Sequence, residues 1–111
     1  MTIIRFLISL MAIVFINGEA VSKTASLPQP HVVEIRAFSF SPERIVAAPG
    51  DTIIWINRDI VPHTVTENGG RWRSQALEEG QSWKVVIHKN GTYTYFCEFH
   101  PHMKGELATQ S

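Results

Sequence analysis

Cys97 is the only cysteine of the chain, and it opens the run Cys97-Glu98-Phe99-His100-Pro101-His102-Met103. A thiol, an imidazole and a thioether follow one another at intervals of three residues. That donor set suits copper, whose thiolate sites combine one cysteine with two histidines and a weakly held methionine. The second imidazole has to come from elsewhere, and His63 in Pro62-His63-Thr64-Val65 is the candidate. The chain must therefore fold so that residue 63 returns to the run that begins at residue 97.

An isolated cysteine is often no more than a small buried apolar residue. In an exported protein a lone thiol cannot form an internal disulfide, the device on which small secreted domains commonly rely. Coordination to a metal would protect it and stiffen the fold. The histidine and methionine that follow tip the balance towards a metal. Zinc on the same ligands is the bland alternative, but structural zinc favours further thiolates.

Export is suggested by the first segment. Arg5 precedes an apolar stretch from Phe6 to Ile16, and the small residues Gly18 and Ala20 follow. This reads as a secretory signal over residues 1–20, cut near Ala20. Its apolar core falls short of the roughly 20 residues a spanning helix needs, so no stable membrane insertion is expected after cleavage. Residues 21–30, with Pro28 and Pro30, read as a flexible lead-in, and residues 31–111 as one domain. Ten basic and ten acidic side chains cancel, so the charge gives no reason to expect nucleic acid as a partner.

The domain reads as all-β. Val33, Ile35 and Ala37 alternate with Glu34 and Arg36, and Phe38 and Phe40 flank Ser39. Trp83, Val85 and Ile87 alternate with Lys84, Val86 and His88, and Tyr93, Tyr95 and Cys97 with Thr92, Thr94 and Phe96. These are period-two patterns rich in β-branched and aromatic residues. Turn signals stand at Pro49-Gly50-Asp51, Asn68-Gly69-Gly70, Glu79-Gly80-Gln81 and Asn90-Gly91, the last reading as a two-residue hairpin turn. Seven to eight short strands predict an antiparallel Greek-key β-sandwich, with the Cys97 side chain facing inward at a strand end.

Trp55-Ile56-Asn57-Arg58, Pro62-His63, the run from Gly91 to Cys97, His100, Met103 and Lys104-Gly105 together resemble the cupredoxins, the blue copper proteins. Two residues separate Cys97 from His100, and two separate His100 from Met103, as in the short loop of amicyanin-like members; plastocyanin-like and pseudoazurin-like loops are more distant. The resemblance covers about residues 32–107. It implies one copper ion on His63, Cys97, His100 and Met103, cycling between Cu(II) and Cu(I). It also implies a monomeric, non-enzymatic periplasmic shuttle that exchanges single electrons with protein partners such as a cytochrome c or a dehydrogenase. The alternative is a copper carrier or storage protein using the same ligands. Such sites tend to be Met-rich, and Met103 is the only methionine beyond the signal segment.

Some residues depart from the family pattern. Glu98 and Phe99 stand where amicyanin-like loops carry Thr and Pro. Unlike proline, Phe99 has a backbone N–H, which is expected to donate a second hydrogen bond to the Cys97 sulfur. The charge of Glu98 would oppose the resulting rise in reduction potential. Thr64 follows the first ligand where the family often has Asn, and its shorter hydroxyl is expected to bridge the ligand loops. Asn57 is expected to bond the backbone leading to His63. His102, His31 and His88 read as surface residues rather than ligands.

Overall fold

The computed structural model describes residues 11–15, 18 and 27–111. The reading of residues 1–20 as an export signal and of 21–26 as part of a flexible lead-in lies largely outside the described residues. Eight strands run as β1 (Pro30–Arg36), β2 (Ser39–Ser41), β3 (Arg44–Ala47), β4 (Thr52–Asn57), β5 (Thr66–Glu67), β6 (Ser82–Val86), β7 (Gly91–Phe96) and β8 (Lys104–Thr109). They form two four-stranded sheets, ordered β2-β1-β4-β6 and β3-β8-β7-β5. The β-sandwich expected from the alternating pattern is thus present.

The sheets are mixed rather than wholly antiparallel. β1 pairs with β4 in parallel, Val33 opposite Trp55, and β3 pairs with β8 in parallel, Ile45 opposite Leu107. Chain reversal explains the first pair. β2 folds back on β1, and the chain then crosses to the second sheet as β3 before returning beside β1 as β4.

Alternation decides which side chains meet. Ile53, Trp55 and Asn57 of β4 point inward, as do Tyr93 and Tyr95 of β7 and, just beyond its end, Cys97. The Trp55 and Tyr95 rings cross edge to face at 5.4 Å between centroids, joining the two sheets. Gly105, opposite Tyr95 on β8, leaves room for that ring, because a Cβ at residue 105 would stand 2.2 Å from the Tyr95 Cζ. Burial pushes the Tyr95 hydroxyl up to about 12.

Two turns differ from the sequence expectation. Asn90-Gly91 does not close a hairpin, because β6 and β7 belong to opposite sheets. The chain crosses the sandwich there, and the carbonyl of Lys89 accepts hydrogen bonds from the Tyr93 hydroxyl and from Thr109 Oγ1, each at 2.7 Å. Conversely, the alternating run through Ala37 and Phe38 is broken. These two residues form the tight turn between β1 and β2, both with positive φ and without a glycine.

Candidate metal centre

The site lies at the end of the sandwich where β7 stops and where the loop after β4 returns. His63 is fixed through its backbone: its N–H donates to Leu77 O at 3.1 Å, and the Leu77 N–H donates back at 2.7 Å. Asn57, fully buried at the end of β4, holds both neighbouring segments. Its Nδ2 donates to Val61 O at 2.9 Å and to Leu77 O at 2.8 Å, and its Oδ1 accepts the Asp59 N–H at 2.9 Å. The role expected of Asn57 is therefore the one it plays.

The loop from Cys97 to Met103 folds into a compact unit on three backbone hydrogen bonds. His100 N–H donates to Cys97 O, Met103 N–H to His100 O, and Cys97 N–H to Met103 O, at 3.2, 2.9 and 3.2 Å. Pro101 stiffens the loop by fixing φ. Cys97 and Met103 are buried, His100 is half-buried, and His102 is exposed, as expected of a surface residue. His88 is exposed too, and His31 reaches Asp51 at the opposite end of β1.

These two segments bring the donors together. His63 Nδ1 stands 3.6 Å from Cys97 Sγ and His100 Nδ1 stands 3.8 Å from it, and all three atoms lie within 4.8 Å of one another. Donors at about 2.0–2.3 Å from one first-row metal ion, with bonds opening near 120°, are about 3.7 Å apart. The spacing and the chemistry of the three atoms fit a metal, and two imidazoles beside a thiol fit copper best. Met103 supplies a buried thioether on the same loop.

Thr64 ties the two segments. Its backbone N–H donates to Cys97 Sγ at 3.4 Å, and its hydroxyl accepts the Glu98 N–H at 2.8 Å. The hydroxyl thus makes the bridge expected of it. The hydrogen bond expected from Phe99 N–H to the sulfur is not formed; Thr64 N–H is the donor. Phe99 instead turns outward and is 52% exposed. The Glu98 carboxylate meets Arg73 Nη2 at 3.0 Å, which offsets its charge beside the site.

Two residues at the site had no signal in the sequence. Asp59 lies in the loop before His63, and its carboxylate accepts from His63 Nε2 at 2.9 Å. Burial pushes the Asp59 carboxyl up, but hydrogen bonds from Phe38 N–H, His63 and Ala37 N–H outweigh it and hold the group below its ordinary value. An ionised carboxylate only accepts, so His63 Nε2 is the donor of this bond, and Nδ1 is the ring nitrogen that faces Cys97 Sγ. Phe38 is the other: its ring stands edge-on to His63 at 5.5 Å and to His100 at 4.9 Å between centroids.

A family model described as "Cupredoxin-like domain" matches residues 6–108. The chain belongs to the cupredoxin-like family. Amicyanin from Paracoccus denitrificans is 31% identical over 84 residues, spanning 71% of this chain and 64% of that protein. Plastocyanin from Scenedesmus fuscus is 30% identical over 87 residues, 67% of this chain and 89% of that one. The chain spans 64% of the length of each of the two Paracoccus amicyanins it matches. Among solved structures, a Cu-containing nitrite reductase from Thermus scotoductus aligns with a TM-score of 0.71 at 25% identity, over 83% of this cupredoxin and 25% of that enzyme. The sandwich therefore also occurs as part of a larger enzyme.

Proposed function

We propose that this protein is an exported, periplasmic electron carrier that holds one copper ion on His63, Cys97, His100 and Met103. Bound copper would supply a one-electron couple, Cu(II)/Cu(I). The observation that carries the reading is the convergence of His63 Nδ1, Cys97 Sγ and His100 Nδ1 at one end of a rigid sandwich.

The chain's own residues do the rest. Leu77, Asn57 and Asp59 fix His63, and Thr64 locks the His63 segment to the cysteine loop. Donors held this firmly change little between oxidation states, which keeps the reorganisation on electron transfer small. Burial of His63, Cys97 and Met103 excludes water from three of the four donors. His100 alone approaches the surface, between Phe99 and Pro101 in the loop and beside Phe38, which is 46% exposed. An exposed apolar rim of this kind suits brief docking to a protein partner, such as a cytochrome c or a dehydrogenase. Such burial also favours a carrier of electrons over a carrier that must hand its metal on.

Protein-film voltammetry of the copper-loaded chain tests this reading. A reversible one-electron wave, with electron exchange to a cytochrome c, is the expected result. Irreversible reduction with release of the metal would make the protein a copper carrier instead.

A further inference from the structure

Ala37 and Phe38 both take left-handed backbone, with φ of 48° and 59°. Residues with a β-carbon rarely adopt it, and neither glycine nor asparagine stands here to ease it. Such conformations persist where the surroundings hold them. The holder is the Asp59 carboxylate, across 21 and 22 residues of chain: Oδ1 accepts the Ala37 N–H at 2.7 Å and Oδ2 the Phe38 N–H at 2.9 Å. The same Oδ2 accepts a hydrogen bond from His63 Nε2 at 2.9 Å.

The turn so held sets the Phe38 ring edge-on against both candidate ligand imidazoles. A single carboxylate, with its side chain only 15% exposed, therefore meets the first ligand and the aromatic cover over the pair. We infer that Asp59 is a positioning residue that couples His63 to the Ala37–Phe38 turn, so that one side chain fixes both the ligand ring and the Phe38 ring that shields it. Releasing Asp59 would free the His63 ring to rotate and let the turn relax towards ordinary backbone, carrying Phe38 off the imidazoles. The coupling is a property of the metal-free protein. Only its effect on metal binding rests on the copper reading.

The test uses the full chain without metal, alongside Asp59→Asn and Phe38→Leu. Asparagine keeps the size of the side chain but places an NH2 donor where a carboxylate oxygen accepted. In Asp59→Asn, amide exchange at Ala37 and Phe38 is expected to rise roughly tenfold, as for loss of one charge-assisted hydrogen bond. The 15N shifts of the His63 ring should leave the Nε2–H pattern of the unsubstituted protein. Affinity for Cu(I), read by competition with a chromophoric chelator, should fall about 10–100-fold. Phe38→Leu keeps all three donors, so its Ala37 and residue-38 amides and its His63 shifts should match the unsubstituted protein. Unchanged exchange in folded Asp59→Asn, or a Phe38→Leu variant that alters the His63 tautomer as much, overturns the coupling. The unsubstituted chain carries its own check should Asp59→Asn fail to fold: an Nδ1–H tautomer of His63, or freely exchanging Ala37 and Phe38 amides, also overturns it. Protected amides and an Nε2–H ring in a chain that binds no copper would uphold the coupling and sink the copper reading.

Discussion

The Thr64 hydroxyl accepts the Glu98 N–H at 2.8 Å, across 34 residues of chain, and so joins the loop that carries His63 to the loop that begins at Cys97. Thr64 is buried, and its backbone N–H also donates to Cys97 Sγ at 3.4 Å, so this one residue makes two hydrogen bonds between the segments. Thr64→Val keeps the shape and removes the acceptor, leaving the Glu98 N–H unsatisfied. A loss of about 1–3 kcal/mol is expected in denaturant unfolding of the metal-free protein. Thr64→Ser should recover most of it, and equal stability of the valine variant would contradict the bridge.

Asp51 anchors the start of β1 from the turn before β4. Its carboxylate accepts the Gln29 N–H at 2.9 Å, meets His31 Nε2 at 2.8 Å and accepts the Ala48 N–H at 2.9 Å, and these bonds draw it down to about 2 from 3.8. A carboxyl depressed on folding contributes stability above its unfolded value and loses it as pH falls through the folded one. Asp51→Asn should therefore melt below the unsubstituted protein at pH 5–7, by an interval that closes between pH 3.8 and about 2. An interval that stays constant with pH would show that the ionised carboxylate is not the cause.

Gly105→Ala tests the packing beneath the site. The new Cβ would meet the Tyr95 ring at 2.2–2.4 Å, and Tyr95 is fully buried against Trp55 and Phe40. The ring must move or the strands part, and the expected cost is about 1–3 kcal/mol. Tyr95 lies two residues before Cys97, so a shift in the absorption of the copper-loaded variant should accompany the lower melting temperature. A variant as stable as its parent would mean that the ring adapts freely.

Arg73 and Glu98 form an exposed pair at 3.0 Å beside the cysteine loop. Exposed pairs contribute little to stability, about 0–1 kcal/mol. Their effect belongs on the reduction potential: Arg73→Ala leaves the Glu98 charge unopposed and should lower the potential of the copper protein, as negative charge favours Cu(II). Salt should shrink the difference, and a potential that rises would reverse the assigned role of Glu98.

Much of the fold was legible because alternation is a direct record of which face is buried. Tyr93, Tyr95 and Cys97 share the inner face as their spacing required; Cys97, His100 and Met103 stood out by residue type and interval, whereas His63 joined them only as a candidate that the resemblance to the cupredoxins supported. The parallel pairings of β1 with β4 and of β3 with β8 left no such trace, since a strand's own pattern does not tell the direction of its neighbour. Asn90-Gly91 carried a hairpin signal that tertiary structure overrode, the chain crossing between sheets instead. The Ala37–Phe38 turn carried no signal at all. Its left-handed backbone is held by Asp59, a residue more than twenty positions away, and no local propensity records a long-range clamp. The second donor expected at the Cys97 sulfur is missing for a related reason: loop composition offered the Phe99 N–H, but the folded loop does not bring it to the sulfur, which accepts instead from the distant Thr64 N–H.

Titration of the metal-free protein with Cu(II), followed by visible absorption, bears most directly on the centre itself. One equivalent per chain should raise an intense thiolate-to-copper band that vanishes in Cys97→Ser and weakens or changes in His63→Gly. A chain that stays colourless at saturation, or keeps its band without the sulfur of Cys97, would contradict the site.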